Sequence, residues 1–73
     1  MMLYLLRHGE AEPHAANDAA RRLTFRGQQE VDSVARQFQL NKLLLQVCIS
    51  SPYVRAVQTA ERFLDQVAPD LVL

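Results

Sequence analysis

The stretch MLYLLRHG, from Met2 to Gly9, opens on an unbroken apolar run and ends in an arginine, a histidine and a glycine. Met2 to Leu6 is too short for a helix, and its lack of alternation predicts a strand buried on both faces, as in a parallel sheet with helical cover. Downstream, Glu10 to Arg22 has no stable apolar period and is expected to be a loop with one helical turn. Thr24 is a good N-cap. Val31, Val34, Ala35 and Phe38 then recur at helical spacing while Gln29, Glu30, Asp32, Ser33, Arg36 and Gln37 take the other face, and Asn41 and Lys42 close the helix. Val47 to Ile49 predicts a second short buried strand ending at Ser50 and Ser51. Pro52 stands at a natural first-turn position, and a second helix carries Val57, Ala60, Leu64 and Val67 before stopping ahead of Pro69. Leu71 to Leu73 reads as the start of a third strand. The expected class is therefore α/β: a three-layer, doubly wound, mostly parallel sheet with helices on both faces, here truncated to β-α-β-α-β.

Composition narrows the function classes. The 73 residues are 49% hydrophobic and 22% charged, a balance that belongs to a folded domain rather than a disordered tail. Cys48 is the single cysteine, so an intrachain disulfide and a cysteine-rich zinc site are excluded, and its place in an apolar run predicts a small core residue in a reducing compartment. The net charge of zero gives no nucleic-acid footprint, yet arginine outnumbers lysine seven to one, a bias toward bidentate recognition of phosphate or carboxylate. Met1 to Leu6 is far below the roughly 20 residues needed to cross a bilayer. A cationic n-region is also missing, so a cytoplasmic location without membrane partners is expected. Repeats and Gly/Ser linkers are absent, and one domain is expected.

Loops that leave the carboxyl ends of parallel strands share one sheet edge. That topology would bring Arg7, His8 and Gly9 beside Ser50 to Arg55. Such a crevice would hold an imidazole, two guanidinium groups, a glycine that lets backbone approach a ligand, and the N–H groups that open the second helix: the parts of a phosphate site. A neutral imidazole facing phosphorus is a nucleophile, and the arginines would neutralise the equatorial oxygens during in-line transfer. The blander reading of the same residues is a strand-end cap and a solvated first-turn charge. His14 has no partner at fixed spacing and reads as a solvated loop residue.

The segments LRHGEAEP and SSPYVRAVQTAE together resemble the histidine phosphatase superfamily, whose signature is an Arg-His-Gly triplet at a strand end. Asp18, Arg21, Leu23, Thr24 and Gly27 are similar to its short bacterial phosphohistidine phosphatase branch more than to the larger phosphoglycerate mutases. The resemblance covers essentially the whole chain. It implies a phosphoglycerate mutase-like fold, a nucleophile at His8 that becomes phosphorylated, and phosphate-clamping arginines at Arg7 and Arg55. Gly9 and Arg21 join the substrate pocket by the same resemblance, with Ser51 and Pro52 forming the turn that aims Arg55. Gln58, Thr59 and Glu61 match the motif too, but their helical spacing assigns them to packing and capping, and Glu10 matches an acidic position for which the residues themselves suggest no role. No cofactor or metal is implied.

Members of this family carry a second catalytic histidine near the end of the sheet, and no histidine follows Arg55 here. Residues 1–73 are accordingly expected to be the N-terminal half of a single domain, with apolar surface that favours self-association. The leading expectation is a phosphohistidine phosphatase acting on a phosphorylated protein through phospho-His8. The alternative is a catalytically incomplete module that binds phosphate or a phosphoprotein. A nucleotide-binding α/β domain is poorly supported, because GxGxxG and GxxxxGK are both absent.

Overall fold

A computed structural model describes residues 3–73. A 3-10 turn at Asp18–Ala20 precedes two helices, α1 at Phe25–Leu40 and α2 at Val54–Val67. The first helix begins where its chemistry says it should: the Thr24 hydroxyl accepts the Gly27 N–H at 2.9 Å, satisfying one of the orphan donors of the first turn. It ends where Asn41 and Lys42 leave the helical path. The Lys42 N–H donates to the Gln39 carbonyl at 2.9 Å and the Leu43 N–H to the Phe38 carbonyl at 3.4 Å, a Schellman pairing that places Lys42 at φ 53°, a position usually held by glycine. Helix α2 starts at Val54 with Tyr53 as its N-cap, so Pro52 lies just outside the helix rather than in its first turn.

The helices pack on one another through Val31, Ala35 and Phe63, joined by Leu23 from the preceding loop. Ala35 is fully buried, and Val34, expected on the same face, is 44% exposed. Phe63 was not part of the expected apolar stripe of α2, yet it belongs to the core. Its ring meets Phe38 edge-to-face at 5.2 Å, and Phe38 meets Tyr4 in the same way at 5.3 Å, which anchors the N-terminal segment on α1. On the solvent side of the helix pair, Arg62 of α2 grips Asp32 of α1 through Nε and Nη2 at 2.7 and 2.8 Å, and Gln66 donates to the same carboxylate at 2.7 Å.

The expected β-α-β-α-β sheet is not formed. Among the described residues the β pairing amounts to one isolated antiparallel bridge, Ala11 with Leu23, and residues 3–6, 47–49 and 71–73 run without strand structure. Met2, where the first strand was expected to begin, lies outside the described residues. The physical reason lies in burial. A run buried on both faces needs a helical layer on each side and a neighbouring ladder for its N–H and C=O groups. Here the two helices make a single layer. Tyr4, Leu45 and Cys48 lean toward it half-buried, whereas Leu3, Leu5, Val47 and Ile49 are largely exposed, so Cys48 is a margin residue rather than a strand-core one. No helix among the described residues is long and apolar enough to cross a membrane.

A close backbone contact joins the loop after His8 to α1. A Cβ on Gly9 would sit 2.3 Å from the Gly27 carbonyl oxygen, and one on Gly27 would sit 2.0 Å from the Glu10 carbonyl oxygen. Both obstacles are backbone, so neither can rotate away. Gly27→Ala should therefore destabilise the chain by about 2 kcal/mol or more in urea unfolding, beyond the ~1 kcal/mol expected for Thr24→Ala, which removes only the cap. Equal small losses for the two would contradict this packing.

Candidate phosphate site

The Arg7-His8-Gly9 triplet is held from two sides. The buried Gly9 N–H donates to Thr59 Oγ1 at 3.2 Å, and that hydroxyl donates in turn to the Arg55 carbonyl at 2.7 Å. Glu10 continues the anchoring: its N–H donates to Glu30 Oε1 at 2.7 Å and its carbonyl accepts the Thr24 N–H at 2.9 Å. The triplet is thereby fixed to α2 at Thr59 and to both the start and the second turn of α1. Thr59 was assigned to packing and capping, and its buried hydroxyl does that. Gln58 does likewise, with Oε1 accepting the Leu23 N–H at 2.8 Å.

This anchoring sets the chemistry of His8. Its Nδ1 lies 2.8 Å from the Gly9 carbonyl oxygen. A carbonyl only accepts, so Nδ1 carries the proton and the neutral ring keeps its lone pair on Nε2. The ring is otherwise exposed, which leaves Nε2 free to meet a ligand. Arg7 is exposed as well and makes no salt bridge with the described residues, so its guanidinium is uncommitted.

Arg55 and Arg21 are brought together by a residue to which the sequence reading gave no role, Asp18. Arg55 Nη1 donates to the Asp18 carbonyl at 2.7 Å and Nη2 to its Oδ2 at 3.1 Å, while Arg21 Nη1 donates to Oδ1 at 3.0 Å. The other end of Arg21 is tied down by Nε donating to the Glu12 carbonyl at 2.5 Å. The Arg55 side chain is only 12% exposed, and its guanidinium carbon stands 4.7 Å above the Tyr53 ring. An asparagine cap explains the local geometry: Asn17 Oδ1 accepts the Ala20 N–H and rolls Asp18–Ala20 into the 3-10 turn that presents Asp18. Asp18 followed three residues later by Arg21 was a visible signal of a local ion pair; its second partner, 37 residues away, was not.

Elsewhere, Glu10 Oε2 lies 3.6 Å from Arg26 Nε, and His14 is exposed in the loop as expected. A groove runs along the Asp32, Arg62 and Gln66 cluster and includes none of Arg7, His8, Gly9, Arg21 or Arg55. Its open, polar lining marks it as the outer seam between the helices. Among the described residues no group of three or more His, Cys, Asp or Glu side chains could hold a metal ion.

Residues 3–73 match the histidine phosphatase superfamily (branch 1), and the chain belongs to that family. It is 35% identical over 65 residues to the phosphohistidine phosphatase SixA of Escherichia coli (strain K12), an alignment that covers 89% of this chain and 40% of that protein. It is also similar, with a TM-score of 0.83 and 35% identity, to a solved structure of the protein histidine phosphatase SixA complexed with tungstate, covering 86% of this chain and 40% of that one. The chain thus spans about two fifths of the length of these relatives.

The ion pairs leave a titration signature. Hydrogen bonds from Arg21 and then Arg55 hold the Asp18 carboxyl below its ordinary value of 3.8, and Arg62 does the same for Asp32, whose charge in turn raises Arg62. A carboxyl depressed in the folded state adds stability above its unfolded pKa and loses it as pH falls through the folded value. Both pairs should therefore persist at pH 5 to 7 and dissolve below 3.8. Carboxyl-detected NMR titration should give midpoints below 3.8 for both, and Arg62→Ala should return Asp32 alone toward it. An unmoved Asp32 midpoint in that variant would refute the pairing.

Proposed function

We propose that this chain carries the nucleophile and the phosphate clamp of a phosphohistidine phosphatase that acts on a phosphorylated protein. Nε2 of His8 attacks phosphorus in line, the P–N bond to the substrate imidazole breaks, and that imidazole leaves with its own ring proton. Water then cleaves the bond between phosphorus and His8 Nε2, releasing inorganic phosphate and returning the neutral ring. Arg7 and Arg55, with Arg21, neutralise charge on the non-bridging oxygens, and Gly9, packed against the Gly27 backbone, holds the loop that presents His8. A P–N bond needs less help from a general acid than an alkyl phosphate ester, which suits a site where, among the described residues, no carboxylate hydrogen-bonds the His8 ring.

The observation that carries this reading is the bond from His8 Nδ1 to the Gly9 carbonyl, which leaves Nε2 as the reactive nitrogen. The likeness of chain and backbone to SixA points to the same substrate class.

Incubation with a radiolabelled phosphohistidine protein should place acid-labile phosphate on His8. His8→Ala should abolish that labelling while phosphate affinity stays within about tenfold, since the guanidiniums remain; Arg55→Ala should weaken both. Turnover of His8→Ala within about tenfold of the parent, ~1.4 kcal/mol in barrier terms, would refute covalent catalysis by this residue. Saturable phosphate binding with no label on His8 would assign the chain to the binding-module alternative instead.

A further inference from the structure

Asp18 places a carboxylate between two arginines that the proposed function needs for phosphate. An anion at that spot could act in two opposite ways, as an internal competitor that occupies the clamp or as a support that aims it. The bonding geometry decides between them. A guanidinium has five N–H groups. Arg55 spends Nη1 on the Asp18 carbonyl and Nη2 on Oδ2, and Arg21 spends Nε on the Glu12 carbonyl and Nη1 on Oδ1, so each engages two and keeps three. A competitor would take the forks that a phosphate uses; here each fork retains free donors. Arg55 is also fixed in its third direction, with Tyr53 against its face. Two guanidiniums drawn to a single small anion would repel each other without a negative charge between them, and Asp18 supplies that charge while leaving the group one unit positive.

We infer that Asp18 is a positioning residue, which holds Arg21 and Arg55 side by side with their remaining N–H groups directed to an incoming phosphoryl group. This rests on the reading of those arginines as the clamp. The depressed Asp18 carboxyl is consistent with it: the carboxylate stays charged, and the arms stay held, throughout the neutral range. Being 59% exposed and outside the core, its side chain can be altered without emptying a packed volume.

The test is inorganic phosphate affinity of the 73-residue chain, measured by NMR titration for the parent, Asp18→Asn, Arg55→Ala and the double variant. Asp18→Asn keeps shape and one acceptor oxygen but removes the charge. We expect about tenfold weaker binding for Asp18→Asn, about a hundredfold for Arg55→Ala, and a double variant within about threefold of Arg55→Ala, because only Arg21 of the two arms that Asp18 holds then remains. Tighter binding by Asp18→Asn would make the carboxylate a competitor and overturn the inference. An equal loss from Asp18→Asn in both backgrounds would show a purely structural role and overturn it too. Unchanged binding in Arg55→Ala would instead defeat the clamp reading itself, which separates the two failures. Should Asp18→Asn fail to fold, the parent decides alone: distinct Arg55 Nη resonances, the mark of a held guanidinium, support the inference, and averaged ones refute it.

Discussion

At Gly9 and Gly27 two backbones approach so closely that no side chain of any size fits between them, and the placement of the histidine follows from that contact. The contact presses the loop after His8 onto the first turn of α1. The same turn is capped by Thr24, whose N–H also bonds the Glu10 carbonyl, so helix start and loop are parts of one hydrogen-bonded unit. Thr59 ties the other side of Gly9 to α2, one turn beyond Arg55. Because α1 and α2 are locked together by the Val31, Ala35 and Phe63 core and by the Asp32–Arg62 pair, a displacement of either helix would carry His8 or Arg55 with it.

The two helices were legible in the sequence because their signals are local. Thr24 caps within three residues, Asn41 and Lys42 terminate within two, and the apolar period of each helix spans neighbouring turns. The strands were not legible for the opposite reason. Leu3, Leu5, Val47 and Ile49 read as buried because they are apolar, but burial depends on what covers a residue, and among the described residues nothing covers these. Among the candidate site residues, His8, Gly9 and Arg55 were drawn together by family resemblance and by an expected edge of parallel strands that does not form; Thr59 is what joins Gly9 to Arg55. Asp18 and Gly27 matched that resemblance without a physical role, since a contact between Asp18 and Arg55, or between Gly9 and Gly27, leaves no periodic trace in the chain.

The site divides its labour between rigid and charged parts. A hydrogen bond to the Gly9 carbonyl sets the tautomer of the His8 ring, so its open nitrogen is assigned by the backbone and not by a neighbouring acid or base. Arg55 and Arg21 are fixed by a carboxylate and two carbonyls, whereas Arg7 stands free in solvent. In the proposed clamp, donors held in this way spend little reorganisation when charge develops on a phosphoryl group.

The Gly9 carbonyl holds the Nδ1 proton of His8 and frees Nε2. Nitrogen-15 NMR of the imidazole, recorded on the neutral ring, reads this directly. The account predicts a protonated Nδ1 and a bare Nε2 for His8, with the exposed His14 showing the averaging of a solvated ring. A His8 ring protonated on Nε2, or averaging like His14, would contradict it.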